Sequence, residues 1–272
     1  SHTGCTGTLA LTGDNTTSGT FTISGGTLQI GNGGTTGTLG TGGIVNNATL
    51  IFNRSDDVVL GNSLSGAGNL IKQGGGRLTL AGPTGTAYSG EITISAGTLQ
   101  IGNGEAAGTT FTGNIVNNAA LAFNRSGDLN IGRVISGTGS LTQLGSGKLR
   151  LSGANTYTGD TRVQSGTLEL AGGRALADTG RLVIDAGAVV EILVSDEQIG
   201  SLEGAGNIIF RLASLVVGDS SSTTFSGTLQ NGATSTLALT KLGNGTLTLS
   251  GSNSSTGNVI VNGNPHSKGY KP

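Results

Sequence analysis

The eight residues GTLQIGNG at 26–33 occur again at 97–104, and the residues around them repeat as well. IVNNATLIFNRS at 44–55 returns as IVNNAALAFNRS at 115–126, so that both pairs are offset by 71 positions. A repeat of this length constrains the fold strongly, because each copy must form the same supersecondary unit and stack on its neighbour.

Apolar and polar residues alternate inside each copy, as in TLTL at 246–249 and KLRL at 148–151. Alternation with period two is typical of β-strands. Clusters of Gly, Asn, Ser and Thr, which favour turns, separate these segments. The best helical candidate, at 172–180, is too short for more than about two helical turns. The pattern therefore predicts an all-β protein.

The spacing of equivalent leucines predicts how the strands are arranged. Leu50 follows Leu28 by 22 positions, and Leu70 follows Leu50 by 20 positions. The same two spacings separate Leu99, Leu121 and Leu141. A strand that returns every 19 to 23 positions suits a coil in which each turn lies above the last. We call one complete turn of this coil a rung, so that each repeat makes three rungs and the whole chain makes a parallel β-helix (β-solenoid) of about a dozen rungs.

In such a coil the inward residues stack as columns of Leu, Ile and Val. We expect Leu121 and Leu151 to point inward, and we expect large aromatic residues to fit poorly because the interior is only about 10 Å wide. Sharp corners need Gly and Asn, and identical stacked residues can form ladders. The candidate corner residues are Asn46, Asn47, Asn117 and Asn118.

The repeat decays towards the C-terminus. SGTGS at 136–140 has a similar segment, EGAGN, at an offset of 67. The segment similar to QLGSGKLRLSG at 143–153 lies at an offset of 98. The difference of 31 positions between these offsets predicts an extra rung and a loop inserted near 209–240. We expect a single β-helix segment over 1–264, followed at 265–272 by a frayed tail or an added remnant.

Composition excludes several classes of protein. Charged residues make up 11% of the chain and the net charge is −1, with the basic residues scattered, so nothing favours a nucleic-acid partner. Disordered chains are usually highly charged and poor in β-branched residues, which this chain is not. Its most apolar stretch is interrupted by Asp185 and Glu191, which argues against a membrane span. The single cysteine, Cys5, cannot form an intramolecular disulfide.

Residues 141–170 resemble the passenger-associated transport repeat of bacterial autotransporters. The positions that match its pattern are Gly145, Gly147, Leu149, Leu151, Ser152, Gly153, Asn155, Tyr157, Gly159, Thr161, Val163, Gly166, Thr167 and Leu168. Residues 7–30, 74–101 and 241–261 fit less completely. The first lacks the tyrosine, the second keeps Tyr88 but not the asparagine, and the third has Ser255 in place of the tyrosine.

This resemblance implies a right-handed β-helical passenger, displayed at the cell surface or secreted by a Gram-negative bacterium. In that family a C-terminal barrel in the outer membrane translocates the passenger. A barrel carries girdles of aromatic residues, and this chain has 3 Tyr and 6 Phe, so we expect the barrel to be absent from it.

Candidate catalytic residues are few. A Ser-His-Asp site needs a histidine, and the two in this chain, His2 and His266, lie at its ends. GDSSS at 218–222 is therefore expected to be a polar loop. Two histidines and one cysteine do not make a standard zinc site, and the calcium-binding nonapeptide pattern is missing. We expect no catalytic residues, no metal and no cofactor.

Two adjacent acidic pairs, Asp56–Asp57 and Asp196–Glu197, are the candidates for glycoside hydrolysis, which needs paired carboxylates. Neighbours on a strand point to opposite faces, so neither pair is self-evidently a site. Asp57 is also answered by Asp128 in the next repeat, which favours a repeated turn residue.

Arg54 and Arg125 occupy equivalent repeat positions. They are either solvated turn residues, which is the commoner case, or part of a face that binds a ligand.

These observations favour a non-enzymatic adhesin or stalk segment that mediates attachment or cell–cell aggregation. The expected partners are copies of the same chain along the polar sides of the helix, or a host or matrix ligand. The binding residues are unknown. A β-helical enzyme that cleaves polysaccharide, either a lyase or a hydrolase, is the alternative.

Overall fold

Short strands separated by glycine-rich turns make up the computed structural model, which describes residues 6–83, 87–106, 108–194, 196–211, 213–232 and 238–262. None of these residues is helical, and the described part of the chain accordingly holds no helix of the length and apolar character that crossing a membrane requires. The strands coil into a solenoid of about 12 rungs.

The strands are numbered here in chain order. The first rungs contain β1 (Thr8–Leu11), β2 (Phe21–Ile23), β3 (Thr27–Ile30), β4 (Ile44–Asn46), β5 (Thr49–Asn53), β6 (Val58–Leu60), β7 (Leu64–Ser65), β8 (Asn69–Gln73), β9 (Arg77–Leu80), β10 (Ala87–Tyr88), β11 (Ile92–Ile94) and β12 (Thr98–Ile101). The middle rungs contain β13 (Thr110–Phe111), β14 (Ile115–Asn117), β15 (Ala120–Phe123), β16 (Leu129–Ile131), β17 (Ile135–Ser136), β18 (Ser140–Gln143), β19 (Lys148–Leu151), β20 (Thr161–Val163), β21 (Thr167–Ala171) and β22 (Arg181–Ile184). The last rungs contain β23 (Val189–Val194), β24 (Glu197–Ile199), β25 (Ser201–Gly204), β26 (Asn207–Phe210), β27 (Ser214–Val217), β28 (Thr223–Phe225), β29 (Thr228–Asn231), β30 (Ala238–Leu242), β31 (Leu247–Leu249) and β32 (Val259–Asn262).

Three long sheets form the walls of the solenoid. A seven-stranded sheet has the order β1-β3-β5-β8-β11-β14-β17, and a six-stranded sheet has the order β16-β19-β21-β23-β26-β29. A ten-stranded sheet has the order β6-β9-β12-β15-β18-β20-β22-β25-β28-β31. Smaller sheets are β2-β4-β7, β10-β13 and β24-β27-β30-β32. Neighbouring strands in each long sheet pair in parallel from one rung to the next.

The leucine spacing seen in the sequence is the register of the stack. Leu28 pairs with Leu50, and Leu50 pairs with Leu70. In the ten-stranded sheet one inward column consists of Leu78, Leu99, Leu121, Leu141, Thr161, Leu182 and Leu202. Leu121 and Leu151 are both buried, so the predicted inward face is confirmed. The all-β class and the parallel β-helix are also confirmed, while the right-handed sense stays a prediction.

Large aromatic side chains fit inside the solenoid, and our expectation that they would not is wrong. The fully buried aromatic residues are Phe52, Phe123, Phe210, Phe225, Tyr88 and Tyr157. For one of them a small residue shares the column. Phe225 is in register with Gly204 of the rung below, where the missing side chain leaves room for the ring.

Glycine is required where one rung turns close over another. Gly66 has a φ of 108°, and a Cβ placed there would lie 2.1 Å from the carbonyl oxygen of Asn46 in the rung below. Gly137, one repeat later, has a φ of 102° and would meet Asn117 at 2.2 Å. The glycines of this corner therefore keep the spacing between rungs.

The proposed insertion near 209–240 contains β27, β28 and β29, which continue the stack. The boundaries of the segment at 1–264 stay a prediction, and the tail at 265–272 lies outside the described residues.

Candidate functional site

The candidate catalytic residues that the structure describes are not assembled into a site. His2, Cys5 and His266 lie outside the described residues. In the GDSSS segment, Ser221 donates its backbone N–H to Asp219 Oδ1 at 2.8 Å and its hydroxyl to Oδ2 at 3.1 Å. Through these hydrogen bonds the carboxylate of Asp219 stabilises a local turn, as expected of a polar loop. The described residues hold no cluster of three or more potential metal ligands.

The acidic pair Asp56–Asp57 is split between two partners. Asp56 accepts two hydrogen bonds from Arg54, at 2.8 and 2.7 Å, and this hydrogen bonding holds the pKa of Asp56 below its usual value. Asp57 accepts a bond from the backbone N–H of Arg77 at 2.9 Å. Each carboxylate therefore fixes a different part of the turn.

The second pair, Asp196–Glu197, is divided between surface and interior. Asp196 bonds Ser214 at the surface. Glu197 is buried and accepts the backbone N–H groups of Ala175, at 3.1 Å, and Leu176, at 2.6 Å. Burial raises the pKa of Glu197 to about 7. A raised carboxyl pKa often marks an active site, but here both oxygens are engaged by the corner of the neighbouring rung.

The asparagines predicted at corners are corner residues. Asn46 and Asn117 are fully buried. Each donates to a backbone carbonyl of the next rung, that of Asn69 at 2.9 Å and that of Ser140 at 2.8 Å, rather than to the side chain of another asparagine. Asn47 and Asn118 accept backbone N–H groups from the next rung. These side chains add hydrogen bonds to the backbone pairing between rungs where the chain turns.

The tyrosines of the repeat motif are structural. The Tyr88 hydroxyl accepts a hydrogen bond from Asn46 at 2.7 Å and donates to the carbonyl of Gly68. Burial raises its pKa to about 12. Tyr157 is buried beside Thr161. Each tyrosine ties its turn to the interior of the solenoid.

Arg54 and Arg125 are not solvated, so the commoner of our two interpretations is wrong. Both residues are 7% exposed, because the side chains fold over the rung below. Arg54 donates Nη2 to the carbonyl of Thr35 at 2.5 Å and Nη1 to that of Gly37. Arg125 donates Nη2 to the carbonyl of Ala106, the residue equivalent to Thr35, at 3.3 Å.

Sequence reasoning missed a set of buried polar residues at one repeat position. The Lys72 ammonium donates to the carbonyls of Gln73 and Gly74, both at 2.7 Å, and of Ala96 at 3.2 Å. Gln143, at the equivalent position of the next repeat, bonds two carbonyls of its own turn, and Lys241 occupies the same motif position near the C-terminus. The sequence feature that could have revealed these residues is a polar residue that recurs at one position of an otherwise apolar column.

The six-stranded sheet carries a charged face, which we define as Lys148, Arg150, Glu169, Glu191 and Arg211. Lys148 lies 3.0 Å from Glu169 and 3.4 Å from Glu191, Arg150 lies 2.7 Å from Glu169, and Arg211 lies 2.9 Å from Glu191. The two carboxylate side chains are only 8% and 12% exposed, whereas the three cations are 36–45% exposed. The outermost charges of this face are therefore positive.

A shallow groove beside the ten-stranded sheet is lined by Asp185, Ala186, Glu203, Gly204, Ala205, Thr224 and Ser226. Its two carboxylates are already paired. Asp185 lies 2.9 Å from Arg162, and Glu203 lies 3.0 Å from Arg181, which also bonds Asp160. The groove is lined by hydroxyl groups and by two carboxylates, and both Asp185 and Glu203 already form ion pairs between rungs.

Four segments of the chain match the model of the passenger-associated transport repeat, at 6–30, 70–101, 141–170 and 239–263. They coincide, with small shifts at their ends, with the four windows recognised in the sequence. The adhesin BmaC autotransporter of Brucella suis biovar 1 (strain 1330) is 38% identical to the chain. The chain belongs to the autotransporter passenger domains that carry this repeat.

The alignment with the Brucella adhesin covers 72% of this chain and 6% of the adhesin. The chain thus spans a small part of the length of that relative. No solved structure matches the chain. As an autotransporter passenger, the segment is displayed at the cell surface or secreted.

Proposed function

We propose that this passenger segment is a non-enzymatic adhesin or stalk on the outer membrane of a Gram-negative bacterium, which mediates attachment or cell–cell aggregation. The observation that carries the proposal is the similarity to an autotransporter named an adhesin, over most of the chain. The chemistry of the side chains agrees with it, because the candidate acids Asp56, Asp57 and Glu197 are each engaged in holding a turn.

The charged face is the surface that we propose for a host or matrix ligand. Its cations lie above carboxylates that are nearly buried, so an approaching molecule meets Lys148, Arg150 and Arg211 first. A polyanionic ligand, such as an acidic polysaccharide, would be attracted to this arrangement. Exposed charges are screened by salt, so this attachment should weaken as ionic strength rises.

Self-association is proposed to use a different wall, the outward column of the seven-stranded sheet. We call this the outer column and define it as Gln29, Ile51, Ile71, Thr93, Val116 and Ser136. All six are half-buried, uncharged residues, and three of them are β-branched apolar residues. Two copies that meet through the same column form a self-complementary contact, as a two-fold interface requires.

The two contacts can be tested separately on beads coated with the chain. Ile71→Lys should abolish bead clumping, while Val183→Lys, a half-buried outward residue on the ten-stranded sheet, serves as the matched control and should leave it intact. Capture of an acidic polysaccharide should fall with Arg150→Ala and with added salt. Beads that neither clump nor capture any member of a broad glycan and matrix panel would contradict the adhesin proposal.

The same panel tests the enzyme alternative. The groove beside Asp185 and Glu203 brings two acids to the edge of a recess. Shortening of a polysaccharide that is lost with Asp185→Asn or Glu203→Gln, in a chain that remains folded, would overturn the non-enzymatic proposal. Binding without turnover supports it.

A further inference from the structure

Arg54 and Arg125 occupy the same position of the repeat but have different surroundings. Arg54 carries its own counter-charge. Its Nε donates to Asp56 Oδ1 at 2.8 Å and its Nη2 to Oδ2 at 2.7 Å, which is a bidentate pairing. A planar guanidinium fork matches a carboxylate in this way with both strength and directionality.

Arg125 has lost this partner. Gly127 stands at the position equivalent to Asp56, and the Nε and Nη1 atoms of Arg125 are buried without a hydrogen-bond acceptor in the described part of the chain. Its one side-chain hydrogen bond to the described residues is the long one from Nη2 to Ala106. A buried cation that lacks its counter-charge and most of its hydrogen bonds is energetically unfavourable.

The chain cannot supply the missing carboxylate at Gly127 itself. A Cβ built on Gly127 would lie 2.0 Å from the carbonyl oxygen of Ala106, so an aspartate there would force the backbone to move. Burial lowers the pKa of Arg125, but a guanidinium remains protonated at physiological pH. The position therefore keeps its positive charge and its unpaired donors.

We propose that Arg125 is a binding site for a carboxylate, in which the ligand's carboxylate pairs with the guanidinium as Asp56 pairs with Arg54. The Asp56 side chain is 37% exposed although it contacts a buried arginine, so in the first repeat the fork is reached from the surface. A ligand's carboxylate would approach Arg125 from the same side and would have to displace the atoms that cover Nε and Nη1, which are buried. The proposal rests on Arg125 and on none of the residues that define the charged face, and it does not depend on the adhesin proposal.

The test follows the Nε–H resonance of each arginine by NMR while sodium acetate is added, with acetamide as a neutral probe of the same shape. The Arg125 resonance, assigned by its loss in Arg125→Lys, should shift saturably with acetate at millimolar concentrations and not with acetamide. The Arg54 resonance should not move, because its fork is already filled. An Arg125 resonance that is unaffected by acetate, or equally affected by both probes, overturns the proposal.

A second variant examines the competing internal partner. The backbone of Glu105 accepts a hydrogen bond from Ser126, which places this acid next to the Arg125 turn. If the Glu105 carboxylate fills the fork in solution, acetate will bind only to Glu105→Gln, and the site is then an internal ion pair rather than a ligand site. Equal acetate shifts in the wild-type chain and in Glu105→Gln support the proposal.

Discussion

The hydroxyl oxygens of Tyr157 and Thr161 lie 2.6 Å apart, and both side chains are buried inside the solenoid. Thr161 is the polar member of an otherwise leucine column, between Leu141 and Leu182. Burial raises the pKa of Tyr157, so the phenol stays protonated. The two hydroxyl groups therefore form a neutral hydrogen bond. The tyrosine of the repeat motif and the threonine of the next strand thus satisfy each other where no water is available.

This pairing predicts non-additive mutations. Tyr157→Phe leaves the Thr161 hydroxyl buried and unpaired, and Thr161→Val does the same to the phenol, so each should lower the free energy of unfolding by about 1–3 kcal/mol. The double variant replaces both partners with apolar groups and should be less destabilised than the sum of the two. Urea denaturation of the four chains measures the coupling. Strict additivity would show that the two hydroxyls do not depend on each other.

Glu197 predicts a pH-dependent stability. Its folded pKa of about 7 lies above the ordinary value of 4.5, so the folded chain holds this proton at pH values at which the unfolded chain has lost it. The corresponding stability is complete below about pH 4.5 and is lost as the pH rises to 7. A shift of this size corresponds to at most about 3 kcal/mol.

Glu197→Gln isolates this effect. A glutamine cannot ionise, so the difference in stability between the wild-type chain and the variant should change with pH between 4.5 and 7 and be constant above that range. The variant should be less stable than the wild-type chain at low pH, because the N–H₂ end of its amide is a donor that faces the backbone N–H donor of Ala175 or Leu176. Parallel pH profiles for the two chains would contradict the assignment.

Lys72 predicts that a buried amide can replace a buried ammonium at this turn. Lys72→Met leaves the carbonyls of Gln73, Gly74 and Ala96 without their donor and should cost more than about 2 kcal/mol. Lys72→Gln should cost about half as much, because Gln143 bonds two carbonyls at the equivalent turn. Thermal or urea unfolding compares the two variants directly. Equal losses of stability in the two variants would mean that packing, rather than hydrogen bonding to the carbonyls, holds the Lys72 side chain in place.

The rung-to-rung register could be predicted because it depends on one simple quantity, the interval between inward leucines. Leu99, Leu121 and Leu141 pair across successive rungs at the intervals that the sequence shows. The alternation of strand residues also separated Asp196 from Glu197 correctly, although it did not indicate that Glu197 would be buried against a corner. Local pattern thus predicts which residues face inward on a strand.

What could not be predicted is the direction that a long side chain takes at a turn. Arg54 and Arg125 follow strands in segments rich in polar residues, which made them look solvated. Both fold back over the carbonyls of the rung below, and these carbonyls come from residues 19 positions earlier in the chain. Lys72 similarly reaches a carbonyl 24 positions later. These contacts depend on how rungs stack, which the local sequence does not specify.

Two glycines test how far a defect spreads along the solenoid. A Cβ on Gly90 would lie 1.7 Å from the carbonyl oxygen of Gly68 and 3.0 Å from the Tyr88 ring, whereas one on Gly61 would meet nothing within 4 Å. Gly90→Ala should therefore push adjacent rungs apart and cost more than about 2 kcal/mol, and Gly61→Ala should be neutral or slightly stabilising. Because each rung contacts only its neighbours, amide hydrogen exchange should rise mainly in the rungs next to Gly90, with the protection of distant strands such as β26 unchanged. Exchange that rises uniformly along the whole chain in Gly90→Ala would show instead that the solenoid unfolds as one cooperative unit.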